Sequence, residues 1–555
     1  MKFEELPNEI LIECFQYLNA PDVFNSFDRL NYRFYTLIRT IPLRLNFEKF
    51  KKSKFNQFCQ IILSNPELKH KIISLKLSNE GTRGQIEEFL SVFPLNEFIN
   101  LRSLLLIDLK EENVEQLRPM LALLSSLYYF SYTDLEYCTL EILSELLKSE
   151  LRILSVPQCE GSTSILKEMS ITSLTLFDCT WNELLEVLQY ALSLKYLKID
   201  QLCRYTHVNN PLKFYTGKAV HLKQLIIDDT NADFEMIEQC LKRTPNLTIF
   251  TIKAGNCVSM INADRWQHLT ESSLLHLRVF NFYFSHSYST DSYNDILNKF
   301  QQFQSNFWSK QHQWYTNYEI HNGLASIYTI PYVWNQYTLV TSNSNSGNLN
   351  GFDNVTELTL SQMTTKTNSP YYFSNVKSLE LINEYYCDKN SDQPYWLEKK
   401  QMKFLNKIVN LSNIKHLKIP ESDYNLSSSL LLEILKELPY VSSLEITKGS
   451  LILFAMDHEL RKYLNTKITT LSLYNYKFAD AYIKSDEIDL LLKTFSDLEQ
   501  LRCNIKSSVH LSLILRNFSK LSITNSPTIF KEVHSWIQEN ASKLNVYIDF
   551  YSIDD

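Results

Sequence analysis

From Ile72 onward one short pattern keeps returning: apolar-x-x-apolar-x-apolar, as in Ile72-x-x-Leu75-x-Leu77, Leu151-x-x-Leu154-x-Val156, Ile171-x-x-Leu174-x-Leu176 and Leu222-x-x-Leu225-x-Ile227. Three-position matches arise often by chance in a chain that is 44% apolar, so the information lies in their spacing. Successive copies begin at 72, 101, 127, 151, 171, 194, 222, 247 and 277, in steps of 20 to 30 residues. The series resumes at Val355 and continues at Val376, Ile414, Val441, Ile468, Leu498 and Phe518. Such a period belongs to arrays in which each unit is one strand and one return segment, buried only by stacking on its neighbours. A 555-residue chain exceeds a single compact core, which also favours an array.

Two features support that reading. Helical stripes lie between the copies: Leu140, Leu143 and Leu147; Leu184, Leu185 and Leu188; Phe234, Ile237 and Leu241. The middle residue of each short strand, which must point to the face opposite its neighbours, is mostly polar: Lys76, Ser155, Thr175, Lys198, Thr251, Asn281, Glu380, Lys418, Glu445, Ser472 and Arg502. From about residue 70 to 550 the chain therefore resembles the leucine-rich-repeat family. The resemblance implies an α/β fold, a solenoid of horseshoe form, with that polar row lining its concave face. Lys198, Asn281, Lys418 and Arg502 are the candidate contacts to a bound protein. Cys159 and Cys179 fall where the family carries Asn or Cys, whereas Glu80, Leu109, Leu202 and Thr230 occupy that slot elsewhere, so no asparagine ladder is expected.

Ahead of the repeats, 23 of the first 45 residues are apolar, set in short helical blocks. Leu6-Pro7 suits the first turn of a helix running from about Asn8 to Leu18, with Glu9 near its positive end. Ile10, Leu11, Cys14, Phe15 and Leu18 make a stripe wider than one small helix needs. Ala20-Pro21-Asp22 restarts the chain, Val23, Phe24, Phe27 and Leu30 keep helical spacing, and Phe34, Leu37 and Ile38 mark a third helix before Pro42. Three helices of about ten residues cannot sustain a core alone, so a neighbouring surface or another protein must complete it.

These residues resemble the F-box, the adaptor-binding motif of Skp-cullin-F-box ubiquitin ligases. The matching elements are Leu6-Pro7-x-Glu9-Ile10-Leu11, Phe15-x-Tyr17-Leu18, Asp22-Val23 and Leu30-x-x-Arg33-Phe34-x-x-Leu37. The family's valine-cysteine-lysine and tryptophan are here Leu30-Asn31 and Phe34. The resemblance implies that Leu6, Pro7, Glu9, Ile10, Leu11, Phe15, Leu18, Asp22 and Val23 form the face for a Skp-type adaptor, and through it a cullin. The alternative from periodicity alone is a helical cap over the end of the solenoid.

Residues 283 to 337 interrupt the series with 15 aromatic residues in 55 positions. Ile296, Phe300, Phe303 and Phe307 share one side of a helix, Trp308, Trp314, Tyr315 and Tyr318 follow, and TSNSNSGNLNG reads as a loop. These rings are either an aromatic platform for a partner or core filling, and a stripe at helical spacing favours core. The expected division is 1–45 F-box, 46–70 linker helix, 71–284 first half of the repeats, 285–351 aromatic insertion and loop, and 352–555 second half.

Chemistry is sparse. With nine glycines the chain has neither GxGxxG nor GxxxxGK[ST], and its ten cysteines form no CxxC pair, which speaks against a phosphate cradle, structural zinc or a disulfide scaffold. His268, His276, His286, His312 and His321 show no HxxxH spacing. A net charge of -7 gives no nucleic-acid or lipid footprint, and the run from Lys49 to Lys54 reads as a solvated helix face rather than an import signal. No apolar stretch long enough to span a membrane and no signal peptide is read, so a cytoplasmic or nuclear location is expected. The expectation is a non-catalytic substrate receptor of a cullin-type ligase, with no catalytic residue, cofactor, metal, nucleic acid or membrane partner and an unknown protein as target. The alternative is a repeat scaffold outside any ligase.

Overall fold

The computed structural model describes residues 3–48, 50, 52–79, 84–133, 139–158, 165–204, 217–288, 293–321, 323–339, 351–361, 371–382, 405–419, 427–474, 482–495, 497–503, 505, 508–517, 522–525 and 547–550. Glu80, Cys159, Lys49, Lys51, Phe518 and nearly all of the TSNSNSGNLNG stretch lie outside these residues. The chain forms two compact units, Met1–Ser285 and His286–Asp555. Each is an open α/β repeat solenoid.

Among the described residues of the first unit ten strands pair in chain order, every neighbour parallel. They are β1 (Leu43–Asn46), β2 (Ile72–Ser78), β3 (Ser103–Ile107), β4 (Tyr129–Tyr132), β5 (Ile153–Val156), β6 (Ser173–Thr180), β7 (Tyr196–Cys203), β8 (Gln224–Thr230), β9 (Ile249–Ala254) and β10 (Val279–Ser287). The motif explains this packing. Its first apolar residue is buried at or just before the strand, and the fourth and sixth point inward from it, as Ile72, Leu75 and Leu77 do. Helices return the chain on the far side of the core, where Leu184, Leu185 and Leu188, and Phe234, Ile237 and Leu241, are buried as expected. The third stripe is shifted: the helix tightens to a 3-10 turn at Leu146–Lys148, so Ile142, Leu143 and Leu146 are buried while Leu147 is exposed.

The array begins earlier than the sequence suggests. β1 pairs with β2, matching Leu45 to Leu75 and Asn46 to Lys76, and Phe47 donates its N–H to the Lys76 carbonyl. Its pattern is masked because Pro42 takes the first apolar position. The segment 46–70 is therefore the return of a first repeat, not a linker. Helix Lys52–Ser64 buries Phe55, Phe58, Cys59 and Ile62. Lys52 at its start pairs with Glu88 at 3.3 Å.

The family's asparagine slot holds Leu109, Cys179, Leu202 and Thr230, but asparagines recur at a different position, just ahead of the motif. Asn100, Asn246, Asn354, Asn375 and Asn413 each sit one residue before a motif and donate from Nδ2 to a backbone carbonyl of the preceding segment, on His70, Val220, Tyr332, Asp353 and Ser374, at 2.7 to 3.2 Å. The ladder lies at the N-terminal ends of the strands, and it satisfies carbonyls that loop geometry would otherwise leave without partners.

The second unit opens with helix Tyr293–Gln302, a π-turn Phe307–Gln311 and the antiparallel hairpin Tyr315–His321/Leu324–Ile330. Among the described residues a nine-stranded parallel sheet follows, from Gln336–Leu339 to Tyr547–Phe550. Ile296, Phe300, Phe303 and Phe307 are buried, and Trp308 and Trp314 retain only 1% and 6% exposure. The aromatic-platform alternative fails at the two tryptophans, which are core, although Tyr293 and Tyr315 of the same segment are exposed. His312 belongs to the same packing, its ring 4.2 Å from that of Trp314 and nearly parallel to it. Among the described residues no helix is long and apolar enough to cross a membrane.

Candidate functional site

Two surfaces carry the residues singled out in the sequence. The first is the N-terminal helical unit: α1 (Asn8–Gln16), α2 (Ala20–Phe27) and α3 (Tyr32–Thr40), preceded by a 3-10 turn Phe3–Glu5. Its centre is aromatic. Phe15, Phe27 and Phe34 meet with ring centroids 4.9 to 6.1 Å apart, and Phe3 closes over them at 5.6 to 6.3 Å. The Asn31 side chain caps α3 by accepting from the Phe34 N–H. α2 packs on the repeats, where Phe24 meets Phe58 edge-on at 5.6 Å.

That packing divides the expected adaptor set. Leu11, Phe15 and Val23 are buried by the chain's own core, so they hold the unit together and are unavailable to a visitor. This corrects the sequence assignment of those three. Leu6 is half-buried, whereas Pro7, Glu9, Ile10, Leu18 and Asp22 are exposed. The wide stripe read along the first helix is thus two faces. Leu11 and Phe15 point inward; Ile10, Cys14 and Tyr17 follow at i, i+4 and i+7 on the other side, with Leu18 next to them. Ile10 and Leu18 are each 44% exposed and Tyr17 86%. Leu30, Tyr32 and Tyr35 add further exposed apolar surface.

Sequence reasoning missed how the approach to α1 is held. Pro7 occupies its N-cap and supplies no capping side chain. Instead Arg33, on α3, donates from Nε to Asn8 Oδ1 at 2.8 Å, from Nη1 to the Glu4 carbonyl at 2.6 Å and from Nη2 to the Leu6 carbonyl at 2.5 Å. Only its place in the quoted motif hinted at a role.

The second surface is the strand face. The expected row is continuous in register within each unit, and it is polar except at Leu105 and Ile226 in the first. Register runs Asn46, Lys76, Leu105, Ser131, Ser155, Thr175, Lys198, Ile226, Thr251, Asn281 in the first. In the second it runs Thr338, Thr359, Glu380, Lys418, Glu445, Ser472, Arg502, Thr524, Asp549. Lys198 and Asn281 thus share one row and Lys418 and Arg502 the other.

The lysines of these rows are not bare charges. Lys198 sits between Asp200 and Asp228 at 2.8 and 2.9 Å. Partial burial opposes its charge, but the hydrogen bonds it donates to both carboxylates outweigh it and hold the ammonium above the ordinary lysine range. Lys418 lies 3.5 Å from Glu380 and 3.3 Å from Glu445, and those acids likewise overcome its desolvation. The Glu445 carboxyl is lowered, first by its hydrogen bond with His416 and, against its burial, by Lys418. His416 also bonds Ser443 Oγ through Nδ1 at 2.7 Å. Lys76 pairs with Glu48 at 2.7 Å, and Asn281 donates to Thr251 Oγ1 at 3.2 Å. Arg502 is exposed. Both lysines of the expected contact set are thus paired and held in place by carboxylates of their own or neighbouring strands.

Desolvation pushes the buried thiols of Cys59, Cys240 and Cys503 up to about 12, which disfavours the thiolate at these three positions. Among the described residues no three His, Cys, Asp or Glu side chains gather to hold a metal.

No protein-family model matches the chain, and no curated protein does. Among solved structures it is similar to the complex of Rad7 and Elc1 from yeast, at 13% identity over 81% of this chain and 92% of that one, with a TM-score of 0.28. It is similar to a TLR13 complex with ssRNA13 at 13% identity, over 83% and 63% of the two chains, TM-score 0.23. It also resembles an internalin from Listeria monocytogenes at 12% identity, over 85% and 94%, TM-score 0.21. Likenesses this loose leave the repeat fold to be read from the strand register itself.

Proposed function

We propose that the chain is the substrate-recognition subunit of a cullin-type ubiquitin ligase. The N-terminal helices dock on a Skp-type adaptor, which links them to the cullin, and the strand faces of the repeats hold a target protein. The observation that carries this reading is the outward face of α1. Ile10, Tyr17 and Leu18 stay uncovered although the same unit closes its aromatic centre and packs α2 on the first repeat. Each Ile or Leu buried on docking contributes roughly 1.5 to 3 kcal/mol, so a few such side chains suffice after association costs.

The receptor works by proximity. It holds a target lysine near a charged ubiquitin-conjugating enzyme, which raises the effective concentration of the reacting groups, so it needs no nucleophile or metal of its own. The second reading, a scaffold outside any ligase with the helices as a cap, draws on the bonds from Asn19 to the first strand. Asn19 Nδ2 donates to the Asn46 carbonyl at 2.7 Å and Asn19 Oδ1 accepts from the Asn46 N–H at 2.9 Å.

Co-purification separates the two. The full chain should recover a Skp-type adaptor, and Ile10→Glu with Leu18→Glu should lose it at unchanged melting temperature, while Leu192→Glu, at an exposed leucine that follows the helix Trp181–Tyr190 in the repeats, should not. Recovery of no adaptor by the wild-type chain would leave the scaffold reading in its place.

A further inference from the structure

We propose that Arg33 is a positioning residue for adaptor docking. From α3 it sets the Phe3–Asn8 segment so that Pro7 and the outward face of α1 are presented in one fixed arrangement. The inference rests on the docking reading above and adds a determinant that makes no contact with the adaptor.

The segment before α1 lies ahead of the first helix and is held to the rest of the unit by Arg33 and by the packing of Phe3. Phe3 lies on the aromatic centre yet is itself exposed. The turn has one local backbone bond, Leu6 N–H to the Phe3 carbonyl at 3.3 Å, and α1 lacks a side-chain cap. Arg33 reaches 25 to 29 residues back along the chain and bonds three consecutive even positions, Glu4, Leu6 and Asn8, with three different nitrogens. Two of the acceptors are main-chain carbonyls, so the guanidinium fixes backbone rather than side chain. A planar fork of donors matches that spread of acceptors, whereas a lysine ammonium is a single point and cannot reach all three.

Loss of the fork therefore frees the segment without removing any apolar docking side chain. A surface that is competent for only part of the time binds with an apparent affinity reduced by that fraction. Freeing a few residues to sample several conformers lowers it by about tenfold, and the loss falls mainly on the association rate.

The test uses the full-length chain and a purified Skp-type adaptor, with binding rates measured for wild type, Arg33→Ala, Arg33→Lys and Ile10→Glu. Amide hydrogen exchange over residues 3–11 is followed in the same proteins without adaptor. The expected result is roughly tenfold slower association for Arg33→Ala, incomplete recovery by Arg33→Lys, and faster exchange confined to the segment ahead of α1 with α2 and α3 unchanged. Full recovery by Arg33→Lys overturns the proposal, because it makes the charge and not the fork the determinant. Unchanged exchange, or binding by Arg33→Ala equal to wild type, overturns it too and leaves the docking reading intact. Absence of binding by wild type itself sinks the docking reading and the proposal with it. Should Arg33→Ala unfold the helices, exchange across α2 and α3 reports that, and Asn8→Ala, which removes one acceptor of the fork, must then give a smaller loss of the same kind or the proposal fails.

Discussion

Two stretches of this chain are unusually aromatic or apolar, and they meet opposite fates. The first forty residues put phenylalanines at the centre of three short helices and leave Ile10, Tyr17, Leu18, Leu30, Tyr32 and Tyr35 outside. The stretch from Tyr293 to Tyr337 takes in Trp308, Trp314, Tyr328, Tyr332 and Tyr337 and buries all five. Composition does not separate the two. What differs is covering chain: a helix, a π-turn, a hairpin and the first parallel strands enclose the second set, whereas three helices of eight or nine residues can enclose only one face of each.

The largest effect should come from cutting into the enclosed set. Trp308→Ala leaves a cavity among Phe303, Phe307 and Trp314 and should cost about 3–5 kcal/mol in urea unfolding of the second unit, while Tyr32→Ala, at a side chain 82% exposed, should shift stability by less than about 0.5 kcal/mol. Equal costs would abolish the distinction between the two regions.

A second prediction concerns the polar heart of the enclosed region. Tyr337 donates to Glu319 Oε1 at 2.6 Å, the Tyr328 and Tyr337 hydroxyls lie 2.7 Å apart, and Asn317 Nδ2 donates to both Tyr328 and Tyr371 at 3.1 and 3.0 Å. Burial pushes the Glu319 carboxyl up to about 7, against the hydrogen bonds of the three tyrosines. A carboxyl raised above its unfolded value stabilises fully below about pH 4.5 and loses that contribution as pH rises through about 7. The second unit should therefore be less stable at pH 8 than at pH 5, by up to about 3 kcal/mol from this group. Glu319→Gln should flatten the profile, and a wild-type curve with no such slope would show that the carboxyl is not sealed.

The open region is tested next. Ile10→Glu with Leu18→Glu should weaken adaptor binding by about a hundredfold, roughly 2.7 kcal/mol, without moving the melting temperature. A fall in melting temperature would mean that these side chains are core after all, and that the two aromatic regions are alike.

Smaller effects probe the repeats common to both units. Asn375→Ala removes one rung of the ladder and should cost about 1 kcal/mol, since the Asp353 carbonyl loses its donor. Smaller still, Lys198→Met should change stability by less than about 1 kcal/mol, because the side chain is a third exposed and its ion pairs are screened.

The repeat fold was legible because its signal is periodic: Leu75 and Leu77 recur as Leu104 and Leu106, Leu154 and Val156, and Leu174 and Leu176, and strand parity then places the polar row. The first repeat was illegible because Pro42 stands in the motif's leading slot. The ladder escaped notice because its asparagines precede the strands, and a side chain that bonds a neighbouring repeat leaves no local pattern. At the helical unit, spacing correctly brought out the apolar residues but could not assign each to a face. Leu11 and Ile10 are adjacent in sequence, and only the packing of Phe15 on Phe27 and Phe34 decides which one turns inward. The fork of Arg33 was hidden for the same reason, since two of its three acceptors are main-chain carbonyls that any sequence supplies.

The paired bonds between Asn19 and Asn46 have a consequence beyond holding the helices in place. An open stack of parallel strands ends in a rim whose peptide groups can recruit the strand of another molecule, and stacking of that kind propagates without limit. Here one amide side chain offers the outermost strand a donor and an acceptor in the places a neighbouring backbone would, so the peptide groups of Asn46 are already taken at that rim.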